Sequence, residues 1–208
     1  MKAVLRGEAG FSLIVVLLLL VVLTVLGVGA AQLSLVNELG ARGDRDTEIA
    51  FQAAEAALLD AEIDVLGPNP GTASRLCAFN PRDVASFVVG CGGSGETQGL
   101  CATAAPGATP VWMSVDLSPA SRTAVAYGTF TGQRYAAGAG AIPAALPRYV
   151  IEAVRSNGGW QMNQLESASA GSATNIFRVT AIGFGAREET QVVLQTNLYK
   201  PTVSAGCP

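Results

Sequence analysis

Four cysteines, at positions 77, 91, 101 and 207, are the residues of this chain with the most to offer chemically, and their options are narrow. The 208-residue sequence contains no histidine. Neither a Ser-His-Asp nor a Cys-His nucleophile can therefore be assembled, nor a metal centre with imidazole ligands. Proton transfer would fall to carboxylates, Lys or Tyr alone. No CxxC spacing occurs, which disfavours a thiolate zinc site as well. What remains is disulfide chemistry, which suits an oxidising compartment. Four cysteines allow three pairings, and the sequence does not choose among them. We expect Cys91–Cys101, which closes a short glycine-rich loop, with Cys77–Cys207 as the remaining pair.

That loop contains a second chemical motif. Gly90, Gly92 and Gly95 have the GxGxxG spacing and follow the apolar Phe87-Val88-Val89. Dinucleotide binding needs those glycines between a strand and a helix inside a βαβ unit. Glu96-Thr97-Gln98-Gly99 is a poor helix start, and cysteines flank the turn, so the glycines read as turn residues. Arg42-Gly43-Asp44 spells an adhesion tripeptide inside a helical pattern and reads as coincidence. With 13 basic and 16 acidic residues, net charge -3, there is no basic face for nucleic acid. We expect no cofactor, no metal and no catalytic residue.

The elements that would carry these residues begin with a membrane segment. Residues 11–31 (FSLIVVLLLLVVLTVLGVGAA) contain no charge. As a helix they reach about 31 Å, the thickness of a bilayer's hydrocarbon core. Lys2 and Arg6 precede the run, so the N-terminal tail stays cytoplasmic and the bulk of the chain is exported. The run could be a plain anchor. It could be a secretory signal cut after Val28-Gly29-Ala30, although it is longer than such a signal needs. A third reading takes MKAVLRGEAG as a short basic leader that ends at Gly10, so that the apolar stretch stays in the mature chain from Phe11.

Beyond residue 31 the pattern turns amphipathic. Leu35, Leu39, Ile49, Ala50, Ala53, Ala54, Ala57, Leu58, Ala61 and Val65 recur mostly at three- and four-residue intervals. Arg42, Asp44, Arg45, Asp46 and Glu48 read as a solvated stretch of mixed sign. Gly40 and Gly43 predict a bend or frayed turn, and Gly67-Pro68-Asn69-Pro70-Gly71 stops the helix. Phe11–Leu66 is thus expected to be one long helix of about 84 Å. Glu55 and Glu62 share a face away from the alanines.

The stretch Phe51-Gln52-Ala53-Ala54-Glu55-Ala56-Ala57-Leu58-Leu59-Asp60-Ala61-Glu62 resembles the FQAAEAAL-x-DAE segment of PilX-type minor type IV pilins. Gly10-Phe11 before the apolar run resembles the prepilin leader of the same proteins. The resemblance implies cleavage between Gly10 and Phe11 and methylation of the new N-terminal Phe11. Major pilins carry Glu at the fifth mature position, where this chain has Val15. A carboxylate in the bilayer is costly, so its absence eases insertion but forgoes an ion pair in docking. That departure fits a minor subunit.

From residue 67 on, glycines and prolines punctuate strand candidates at 87–89, 111–115, 148–154, 176–182 and 190–199. The last two read as a hairpin across 183–189. A helix followed by antiparallel strands makes an α+β domain, the helix covering one face of a small antiparallel sheet. Trp112 and Trp160 read as core or sheet-face residues, and 136–145 as a small-residue loop. Pro147-Arg148-Tyr149-Val150-Ile151-Glu152 and 177–185 resemble the C-terminal strands of PilX-type proteins. The expected organisation is a leader at 1–10, a long helix at 11–66 and a pilin-like domain at 67–208.

What the resemblance implies is a structural subunit of the inner membrane, passing once, with its C-terminal domain periplasmic before it enters a pilus. Implied partners are other minor pilins, the major pilin, an assembly platform and a tip adhesin. Two alternatives stand beside it: a minor pseudopilin of type II secretion, and a periplasmic domain on an uncleaved anchor.

Overall fold

A computed structural model describes residues 11–69, 74–135, 142–156 and 174–200. Helix α1 spans Phe11–Leu66 without a break, so no frayed turn occurs at Gly40 or Gly43. Within this stretch proline is absent and alanine and leucine abound, which favours uninterrupted helix. The stop is a glycine cap: Gly67 has φ +77° and donates its amide to the Ile63 carbonyl at 3.0 Å.

The chain divides into two compact units, one running to Arg45 and one beginning at Asp46. Described residues of the first are helical throughout, with nearly every side chain exposed. The second is a folded α+β domain that takes in the last turns of α1 as well as the segments after residue 67.

Its sheet is built around strands β3 (Arg148–Ser156), β4 (Thr174–Phe184) and β5 (Gln191–Leu198), which form an antiparallel meander. Two short strands share the other edge of β3. Strand β1 (Leu100–Ala102) runs parallel to it, Leu100 opposite Ile151, and β2 (Val125–Ala126) runs antiparallel, Val125 opposite Tyr149. The sheet is therefore mixed rather than wholly antiparallel. Neither β1 nor β2 was expected, because two or three residues are too short to show alternation.

Two strand expectations fail. Residues 87–89 make only an isolated bridge, between Val88 and Cys101. The run Val-Trp-Met-Ser is a single helical turn, α2 (Val111–Ser114), set off by Pro110. It buries Val111 and leaves Trp112 exposed, so Trp112 is not a core residue. Trp160 lies outside the described residues.

Alternation along the strands sorts the two faces. Tyr149, Ile151, Ala153, Phe177, Val179 and Ala181 join Ala57, Ala61 and Val65 of α1 in the main core. Phe177 anchors it, edge-on to Phe79 and stacked with Phe87, both at 5.6 Å between ring centroids. On the opposite face Val150, Cys101, Val111 and Ala124 form a smaller cluster. The Cys91–Cys101 disulfide belongs to that layer.

Candidate functional site: an apolar helix surface and the buried charges at the other end of its helix

The first feature with functional weight is the surface of α1 before residue 40. Leu13, Leu17, Leu20, Leu23, Leu26, Leu33 and Leu39 are all more than half exposed. Leucine at that density, unpaired with any core, needs lipid or other helices as its surroundings. Among the described residues α1 is the one helix long and apolar enough to cross a membrane. Val15 sits on it at 42% exposure, with no carboxylate at that position. Phe11 is the first helical residue, and Gly10 lies outside the described residues.

The second feature is a row of buried charges on the domain end of α1. Asp46, Asp60 and Asp64 lie in register with the buried alanines and are themselves buried. Asp46 does not belong to a solvated stretch: Arg42, Asp44, Arg45 and Glu48 are exposed, but Asp46 faces the turn between β4 and β5. It accepts hydrogen bonds from the Ala186 amide (2.6 Å), Arg187 Nε (3.1 Å) and Thr190 Oγ1 (2.5 Å). The Thr190 hydroxyl, with Arg187 and the Ala186 amide, holds its carboxyl below the usual aspartate range. Gly185 packs on the same carboxylate, where a Cβ would come within 2.5 Å of Asp46 Oδ1.

Asp60 accepts from the Gly128 amide at 2.8 Å and from the Thr131 hydroxyl. Burial pushes its carboxyl above the usual range, although both hydrogen bonds oppose the shift. Asp64 makes the strongest connection. Arg75 reaches it with Nη2 at 2.7 Å and with Nε at 3.0 Å, both side chains wholly buried. The Tyr149 hydroxyl donates to the same carboxylate at 3.0 Å. Burial, with the charge of Asp64 adding to it, moves that phenol well above its ordinary value.

The Arg75 guanidinium has further partners. Its Nη1 donates to the carbonyls of Glu96 (2.9 Å) and Gln98 (2.5 Å), and its Cζ lies over the Phe130 ring, 3.7 Å from the centroid. Lys200, also buried, donates to the Val65 carbonyl at 2.8 Å and so satisfies one of the carbonyls left open at the end of α1. Burial lowers its pKa, against the pull of Asp64.

The disulfide Cys91–Cys101 closes the loop whose carbonyls Arg75 grips. Cys77 is itself disulfide-bonded; Cys207, its expected partner, lies outside the described residues. Gly90 lies in a turn and Gly95 opens a single 3-10 turn at Gly95–Thr97, whereas Gly92 forms an isolated bridge with Gln98. Glu55 and Glu62 are exposed.

These groups do not add up to a reaction centre. Asp60 and Asp64 are each at most 1% exposed and engaged by protein donors, so they hold the helix down. Among the described residues no cluster of Cys, Asp or Glu is placed to hold a metal ion. The buried charges were missed in the sequence because each is an ordinary helix residue by type. A signal was available: Asp46, Asp60 and Asp64 fall on the same stripe as Ala50, Ala53, Ala57 and Ala61, where a charge must meet a partner.

Residues 9–59 match a family model described as PilX N-terminal, and residues 97–200 match one described as Type IV pilus assembly protein PilX C-term. No curated protein and no solved structure matches the chain.

Proposed function

Because the chain belongs to the PilX family of type IV pilus assembly proteins, we propose that it is a minor pilin, a non-catalytic subunit that helps to initiate the pilus. One observation carries this reading. A single unbroken helix presents a bare apolar surface over its first half and forms part of a folded core over its last turns. A helix of this kind suits two successive environments. The apolar half sits in the inner membrane while the subunit waits, with the folded domain on the periplasmic side. It then packs among the helices of other pilins. Lipid tails and apolar side chains are equally oily, so this transfer is driven by packing and local pairing.

Val15 bears on the place in the fibre. A subunit with no carboxylate there forms no ion pair with a neighbour's terminal amine. We therefore assign it to the initiating complex, where the neighbours are other minor pilins, the major pilin, the assembly platform and a tip adhesin. The prepilin leader ends at Gly10, and Phe11 becomes the methylated N-terminus.

The test is intact-mass and N-terminal analysis of the protein from its own membranes. A chain beginning at N-methylated Phe11 is expected. A start at Met1 would leave a plain anchor, and a start at Ala31 a secreted protein; either overturns the reading. Deletion of the gene should then reduce surface piliation.

A further inference from the structure

We propose that Arg75 is a positioning residue that couples the Cys91–Cys101 disulfide to the seating of the last turns of α1. The inference rests on the folded domain alone and does not depend on the pilus role. Arg75 spends its donors on two elements at once. Nε and Nη2 hold Asp64 of α1, and Nη1 holds the Glu96 and Gln98 carbonyls inside the disulfide loop. The guanidinium and the Asp64 carboxylate are buried and the two carbonyl contacts half-buried, with the Phe130 ring over the guanidinium.

The loop keeps those carbonyls in place through the disulfide and a tight internal fold. Gly99 donates its amide to the Gly92 carbonyl at 2.9 Å, and a Cβ on Gly92 would overlap the Thr97 carbonyl. Cys91 itself has φ +66°, a left-handed conformation that a non-glycine residue adopts reluctantly. Releasing the bond frees Cys91 from that conformation and lets the two carbonyls withdraw. Two N–H donors of a buried guanidinium then lack acceptors, and the Asp64 contact loosens with them. Forming the bond removes two electrons and two protons from the two thiols. They pass to an external disulfide oxidant, which becomes a dithiol. The end of α1 is thereby seated only after the domain has met such an oxidant.

The experiment is a double-mutant cycle on the full chain in detergent micelles, read by amide hydrogen exchange. One arm is Cys91→Ala/Cys101→Ala; the other is Asp64→Leu/Arg75→Met, which removes both buried charges together. In the parent background, losing the disulfide should cut protection of amides 60–66 at least tenfold, while β4 and β5 amides change little. In the Asp64→Leu/Arg75→Met background, losing the disulfide should leave amides 60–66 unchanged. Equal loss in both backgrounds, or no loss in the parent, overturns the coupling. Should Cys91→Ala/Cys101→Ala fail to fold, the fourfold variant decides: recovery of fold supports the proposal, and continued failure refutes it.

Discussion

Gly183 of β4 lies directly on the backbone of α1, close enough that a Cβ there would overlap the Ala50 carbonyl and the Ala54 amide. The contact explains two sequence features at once. Alanines at 50, 53, 54 and 57 leave the helix surface low, and Gly183 lets the sheet come down onto it. Helix and strand are matched by the smallness of both.

Gly183→Ala should therefore destabilise the domain by about 2–3 kcal/mol, since the obstructing atoms are backbone and cannot rotate away. Gly40→Ala is the contrast. It lies in the exposed half of α1 with nothing within 4 Å, and alanine there should favour helix by about 1 kcal/mol at most. Urea unfolding of the full chain in micelles, followed by near-ultraviolet circular dichroism, measures the first. Amide exchange across residues 36–44 measures the second.

Asp46 and Asp60 should oppose each other in acid. The carboxyl of Asp46 is held below the ordinary 3.8, so the folded state prefers it ionised. Its contribution is complete above that value and is lost as pH falls through its folded pKa. Asp60 is raised above 3.8 by burial, so the folded state holds its proton more tightly than the unfolded chain does. Its contribution is complete below that value and is lost as pH rises through its folded pKa. Asp60→Asn should thus gain on the parent as pH rises above 3.8, whereas Asp46→Asn should flatten the parent's acid limb below it. Urea midpoints on both sides of that pH test both signs.

Breaking the buried pair on one side should be severe. Arg75→Met leaves the Asp64 carboxylate buried with, among the described residues, the Tyr149 hydroxyl as its remaining donor, a change of about 3–5 kcal/mol. For a domain of this size that corresponds to a fall in Tm of about 10 °C. Adding Asp64→Leu should restore most of it, because the pair's desolvation cost disappears with both charges. Thermal melts of the two variants are the measurement; a single variant as stable as its parent would show that the pair contributes nothing.

Much of this architecture could be read in advance, and the exceptions share a cause. Phe11–Leu66 was legible because apolar and alanine spacing persists for 56 residues and ends at a glycine–proline stop. Strands β3 to β5 showed themselves through alternation such as Phe177, Val179 and Ala181. Residues 111–115 misled because an apolar run of that length fits a strand or one helical turn equally well. The loop half of the Arg75 clamp was invisible because its partners there are backbone carbonyls at 96 and 98, and no residue type announces a carbonyl. Asp46 looked solvated because its immediate neighbours are; its partners come from the turn after β4, about 140 residues on.

The membrane reading of α1 can be tested quantitatively. Fourteen Leu, Ile and Val residues lie between positions 13 and 28. At about 0.3–0.6 kcal/mol each they favour insertion by about 4–8 kcal/mol, while one lysine near the centre costs about 2.5–3.5. Leu20→Lys alone should therefore still anchor the chain, with some loss of membrane retention. Leu20→Lys with Leu23→Lys costs about 5–7 kcal/mol, enough to cancel the gain, and should appear in the soluble fraction after an alkaline wash. Lysines at Gln32 and Ser34, on the same helix but past the uncharged run, should leave retention unchanged. If the Leu20/Leu23 variant stays as firmly bound as the parent, lipid does not surround that part of α1. Release by the Gln32/Ser34 variant as well would mean that general charge, and not depth in the bilayer, governs attachment.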